Sequence, residues 1–85
     1  LAAKRGNSKA QYRLGLKYKE GSGIEQNDIY AHMWLNISST KGYKKAPKAL
    51  NEQENIMSAP AIINSLKLSG ICKKSKYKKC SIQNL

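Results

Sequence analysis

Apolar residues return along this chain at helical spacing. Ala10, Leu14 and Tyr18 fall at i, i+4 and i+8, one stripe of a helix expected over residues 8–20. Asn7 or Ser8 can cap its start, and Gly21 suits its end. Ala31, Trp34, Leu35 and Ser38 mark one face of a second helix, which starts near Asn27 or Asp28 and stops at Gly42. A third is expected from Lys44 to about Ile56, with Pro47 in its first turn and Ala46, Ala49, Leu50, Gln53 and Met57 on its buried side. A fourth follows Ser58, a plausible N-cap, with Pro60 in its first turn. It presents Ile62, Ile63, Leu66 and Gly70 as its apolar face and ends near Lys74 or Ser75. No segment alternates with period two, so the pattern predicts an all-α chain of about four helices and no sheet.

The pattern also repeats. Leu1 falls on Ile37, Gly6 on Gly42, Lys9 on Lys45, Ala10 on Ala46 and Leu14 on Leu50, always 36 residues apart. A helix–turn–helix unit with this period predicts an α-solenoid, whose helix pairs bury their apolar faces by stacking. On that register residues 1–6 are the end of a preceding helix, residues 7–42 a complete repeat and residues 43–75 a degenerate pair. That pair has Asn51 and Glu54 where the first has Gly15 and Tyr18, and its inter-helix loop is shorter, as in a capping unit. Residues 76–85 form a basic C-terminal tail. The 85 residues make one domain. The chain starts at Leu1, as a processed or cut chain would, so its N-terminus says nothing of compartment.

Charge narrows the partners. Sixteen Lys and Arg stand against five Asp and Glu, a formal net charge of +11. Such an excess favours acidic protein, nucleic acid or an anionic membrane surface, although lysines scattered along most of a chain also serve solubility. The one dense block is Lys73, Lys74, Lys76, Lys78 and Lys79. No apolar run is long enough to span a membrane.

Candidate chemistry is sparse. His32 is the only histidine and reads as a surface or half-buried structural residue. Glu52 and Glu54 are two apart and point to different helix faces. Gly21-Ser22-Gly23 lacks the spacing and the Gly-Lys-Ser/Thr of a phosphate loop. Trp34 and Tyr18 are expected to pack between helices, leaving Tyr12, Tyr43 and Tyr77 less constrained. The chain is therefore read as a non-enzyme with no cofactor. Cys72 and Cys80 are eight residues apart, about 12 Å along a straight helix. A disulfide between them requires the chain to turn back near residues 75–77. Free thiols are the alternative, and a metal site lacks enough ligands.

The run from Ala2 to Gly42 resembles a Sel-one-like repeat, a relative of the tetratricopeptide repeat. Its Ala10, Gln11, Leu14, Gly15, Tyr18, Gly21, Gly23, Ile24, Asp28, Ala31, Trp34 and Gly42 match that family's pattern. Ile24 replaces the usual Val, and Ser38-Ser39 the usual Ala-Ala. Residues 46–71 more loosely resemble the helical tail of bacterial members, in which a Met and a Ser or Thr, here Met57 and Ser58, introduce the last helix.

The resemblance implies a right-handed solenoid that acts as a protein-binding scaffold or adaptor. Its groove would be lined by Lys9, Tyr12, Arg13, Leu16 and Lys17 of the first helix and Lys45, Lys48 and Glu52 of the third. A basic groove implies an acidic protein partner. One specific form is an immunity or inhibitor protein of the bacterial envelope. The C-x7-C spacing of Cys72 and Cys80 resembles that of cysteine-rich members in which such pairs are bonded. This implies a periplasmic or secreted protein, and free thiols would imply the cytoplasm. Nucleic-acid binding through the lysine-rich tail is the alternative function. Self-association through exposed repeat faces is a further expectation.

Overall fold

Three side chains and two prolines mark where the helices begin. A computed structural model describes residues 2–85. The repeat partner of Ile37, Leu1, lies outside them. Helix α1 spans Ser8–Glu20, and Asn7 Oδ1 accepts from the Ala10 N–H at 2.9 Å. Helix α2 spans Asp28–Thr40, and Asn27 Oδ1 takes the Tyr30 N–H at 2.9 Å. Helix α3, Ala46–Glu54, has no side-chain cap but carries Pro47 in its first turn. Helix α4, Ala59–Lys74, starts at Ser58, whose hydroxyl accepts from the Ala61 N–H at 3.3 Å, with Pro60 just inside. Each such cap contributes about 1 kcal/mol. Short 3-10 turns lie at Ala3–Arg5 and Ile82–Asn84. No strand occurs among the described residues.

Helices α1 and α2 run antiparallel. Ser38 Oγ donates to the Ser8 carbonyl at 2.7 Å near one end, and the rings of Tyr18 and Tyr30 meet at 5.2 Å near the other. Between them Gly15 lies flush against α2. A Cβ there would stand 2.7 Å from Leu35 Cγ and 3.2 Å from the Ala31 carbonyl oxygen. Gly6 and Gly42, one repeat apart, share a φ of 90°. That left-handed backbone suits glycine, and it releases the chain from one helical turn toward the next helix.

Helix α2 is the centre of the molecule. Ala31, His32, Met33, Trp34, Leu35, Ile37 and Ser38 are all buried, so it shows no single apolar stripe but is covered nearly all round. Helices α1, α3 and α4 each pack on it. The core joins Ala3, Met33, Trp34, Ile37, Leu68 and Cys72. The described residues extend 28 × 27 × 25 Å, with a Cα radius of gyration of 11.3 Å.

The rotation of α4 differs from the sequence expectation. Ile63 and Leu66 are 54% and 47% exposed, and nothing lies within 4 Å of a Cβ at Gly70. Ile62 is half-buried, and the buried side is Ser65, Leu68, Ser69 and Cys72. Two contacts impose this face. Ser65 must reach His32 on α2, and Cys72 must meet Cys80. On α3, Ala46, Ala49 and Gln53 are buried as expected, whereas Leu50 and Met57 are half-buried and the helix stops at Glu54.

The chain reverses after α4. The Tyr77 N–H donates to the Cys72 carbonyl at 2.7 Å and the Lys76 N–H to the Lys73 carbonyl at 3.0 Å, a Schellman ending. Lys76 and Tyr77 both adopt positive φ, 57° and 66°. Ser75 Oγ donates to the Cys72 carbonyl and accepts the N–H groups of Lys78 and Lys79. This turn closes the Cys72–Cys80 disulfide, with the two Cα atoms 4.4 Å apart. Tyr77 is therefore constrained, against expectation. Its ring stacks on Trp34 at 6.4 Å, and Lys41 Nζ sits 5.7 Å from the ring centroid. Beyond the disulfide, the Tyr30 hydroxyl accepts the Ile82 N–H at 3.0 Å and donates to Ser81 Oγ at 3.4 Å, tying residues 80–82 back to α2.

Candidate functional site

The residues expected to line a groove fall into three places. Tyr12 of α1 and Lys45, Lys48 and Glu52 of the α3 region surround one groove of about 480 Å³, together with Lys44 and Ala49. Ala49 is buried and floors it, and Tyr43 lies 5.1 Å from Tyr12, ring to ring. Three lysines and one carboxylate line it. Arg13 and Lys17 line a separate cleft of about 180 Å³ with Ala2, Ala3, Ala10 and Leu14. Lys9 is exposed and Leu16 half-buried, and neither lines these two clefts.

The residues expected to set the repeat's packing take the following positions. Ala31 and Trp34 are buried, Trp34 at 3% exposure, and Gly15 is pressed against Leu35. Ala10, Leu14 and Tyr18 are half-buried against the core. Gly21 caps α1 with its N–H on the Lys17 carbonyl, and Gly23 has a positive φ of 77°. Tyr18 ionises above the ordinary tyrosine range, first because burial disfavours the phenolate and then because Tyr30 is close by.

His32 is fully buried, at 0% exposure, rather than at or near the surface. Its Nδ1 lies 2.6 Å from Ser65 Oγ and its Nε2 2.8 Å from Glu54 Oε2. An ionised carboxylate can only accept, so Nε2 carries a proton toward Glu54. In the neutral ring Nδ1 accepts from the Ser65 hydroxyl. This links α2, α3 and α4 through one side chain. The order Ser–His–Glu superficially matches a hydrolytic triad, but Ser65 is 0% exposed and meets no solvent. The arrangement ties the helices together. No sequence signal announced it, because Glu54 and Ser65 are 22 and 33 residues from His32.

Two buried amides complete the polar interior. Gln11 Nε2 donates to the Ala3 carbonyl at 3.0 Å, and Gln53 Nε2 to Asp28 Oδ1 at 3.1 Å. Among the described residues no three His, Cys, Asp or Glu side chains come together as metal ligands. No helix of the described residues is long and apolar enough to cross a membrane. The disulfide is compatible with an oxidising compartment.

No family model matches the chain, and no solved structure matches it. A stretch of 52 residues is 38% identical to Chitin synthase regulatory factor 3 of Schizosaccharomyces pombe. The match takes in 61% of this chain but 6% of that protein, so the chain is similar to a small part of a far longer relative.

Proposed function

We propose that this chain is a non-catalytic protein-interaction module of the Sel-one-like repeat type, holding an acidic segment of a partner protein in the α1–α3 groove. The observation that carries this reading is the groove itself. Lys44, Lys45 and Lys48 stand around Tyr12 and a floor at Ala49, with Glu52 the one acidic residue among them. Lysines on an aromatic and apolar floor favour an acidic chain that also offers apolar side chains.

Further support comes from the repeat geometry. Gly6 and Gly42, 36 residues apart, share a φ of 90°, and Gly15 allows the close α1–α2 approach of a stacked helix pair. A right-handed solenoid is the arrangement this favours. The fungal relative is by its name a regulatory factor, a role that suits a binding module. The Cys72–Cys80 bond favours the periplasm or the cell exterior, where an immunity or inhibitor role in a bacterial envelope is the narrower form of the proposal.

A fluorescein-labelled acidic peptide, titrated by fluorescence anisotropy, tests the groove. A Lys45→Glu, Lys48→Glu variant should weaken binding by about tenfold or more, roughly 1.4 kcal/mol, with helicity intact. Arg13→Glu, Lys17→Glu, on the neighbouring cleft, reports whether the site extends there. Unchanged binding in the Lys45, Lys48 variant would remove the groove assignment.

A further inference from the structure

A second cleft lies on the opposite side of α1 from the groove. Tyr12 faces the groove, whereas Leu14 and Tyr18, two and six residues on, turn to the other side. There they form one wall of a cleft of about 260 Å³. Tyr30 and Trp34 of α2 form its floor, and the returning chain at Cys80 forms the far wall. Lys4 and Lys78, both exposed, stand at its edge. No Asp or Glu lines it, and neither lysine makes an ion pair among the described residues.

We propose that this cleft is a binding site for a short acidic peptide segment in which a carboxylate adjoins an apolar side chain. The argument is chemical. Lys4 and Lys78 supply two positive charges with no internal counter-charge, so an anion entering between them gains from both. The walls between them are mixed: the carbon of Leu14 and three aromatic rings, with the Tyr30 hydroxyl and Ser81 at the far side. A free inorganic anion would leave those walls unfilled, while a peptide offers the anion and the apolar group together. The volume suits one or two side chains and falls below that of sites for larger small molecules.

The rings also discriminate against nucleic acid. A base stacks on an aromatic face. Here the rings are already engaged with one another, Tyr18 tilted against Tyr30 and Trp34 stacked on Tyr77. Ring edges carry the positive side of the quadrupole and accept an anion rather than a base. The far wall exists because the chain turns back after α4. The Cys72–Cys80 bond and the Tyr30 hydroxyl, bonded to Ser81 and Ile82, fix it against α2.

Trp34 is the chain's single tryptophan, so its fluorescence reports on this cleft. The probe is an N-acetylated, C-amidated Glu-Leu-Glu peptide, with Gln-Leu-Gln as its neutral counterpart and a short oligothymidylate as the nucleic-acid arm. The acidic peptide should change Trp34 emission saturably and shift the amide resonances of Leu14, Tyr18, Tyr30 and Ser81. Its affinity should fall as salt rises. A Lys4→Gln, Lys78→Gln variant should lose about tenfold in affinity, while Lys67→Gln, Lys73→Gln, exposed on α4 and lining neither this cleft nor the groove, keeps it. Equal binding of the neutral peptide would overturn the proposal. So would full affinity in the Lys4, Lys78 variant, resonance shifts confined to α3, or tighter oligothymidylate binding at the same residues.

Discussion

Gly15 and Gly70 are both inside helices, and the same change should move stability in opposite directions at the two. Replacing glycine by alanine in a helix interior stabilises by about 1 kcal/mol from backbone propensity alone. At Gly70 nothing lies within 4 Å of the new methyl group, so Gly70→Ala should gain most of that, about 0.5–1 kcal/mol. At Gly15 the methyl would lie 2.7 and 2.9 Å from Leu35 Cγ and Cδ2, and 3.2 Å from the Ala31 carbonyl oxygen. Leu35 is fully buried and the carbonyl belongs to helix backbone, so neither can swing aside. The α1–α2 pair must separate, and overpacking of this kind costs about 1–3 kcal/mol. The upper half of that range applies because two heavy atoms of a fixed side chain and a backbone oxygen are crowded together. After the propensity gain, Gly15→Ala should lose about 1–2 kcal/mol, a fall of roughly 5–12 °C in Tm for a chain of this size. Urea and thermal unfolding followed by circular dichroism measure both variants. A Gly15→Ala protein as stable as Gly70→Ala would refute the close packing of α1 on α2.

His32→Ala should cost about 2–4 kcal/mol, since it leaves a cavity and strands Ser65 inside the core; a loss below about 1 kcal/mol in urea unfolding would show that the tie is idle. Reducing and alkylating Cys72 and Cys80 should lower stability by about 2–3 kcal/mol, the chain-entropy value for so short a loop, read from the urea midpoint. Lys76→Gly should raise stability by about 0.5–1 kcal/mol, because glycine adopts the positive φ at that position without penalty; a loss of stability would contradict the Schellman turn. The raised Tyr18 pKa means the folded state holds its phenolic proton more tightly than the unfolded chain does. That contribution is fully present below the unfolded value of about 10 and is lost as pH rises through the folded value. Tyr18→Phe should therefore flatten the alkaline fall in stability, checked by urea unfolding at several pH values above neutrality.

The helices were legible because their ends are written locally. Asn7, Asn27 and Ser58 cap from one residue before α1, α2 and α4, and Pro47 and Pro60 mark first turns. The cysteine pair was legible as a possibility, since only a turn stood between Cys72 and Cys80. The facing of α4 was not. Hydrophobicity alone favours Ile63 and Leu66 as its buried residues, but hydrogen bonding to His32 and closure of the disulfide select Ser65 and Cys72. Both constraints are tertiary and leave no periodic mark. The place of Tyr77 was not legible for a related reason: its stacking on Trp34 depends on two consecutive positive-φ residues, neither of them glycine. The residues expected to line a groove share one helix face each in the sequence. Their division between separate clefts depends on how α3 meets α1.

The burial of α2 nearly all round bears on how the molecule can come apart. In an extended array of repeats, each unit touches its neighbours alone, and one end can melt while the rest holds. Here α1, α3, α4 and the C-terminal return all rest on the same thirteen-residue helix. Releasing any one of them uncovers part of α2, and losing α2 leaves the others with little to lean on. Amide hydrogens of all four helices should then exchange through one shared opening rather than in a gradient from one end.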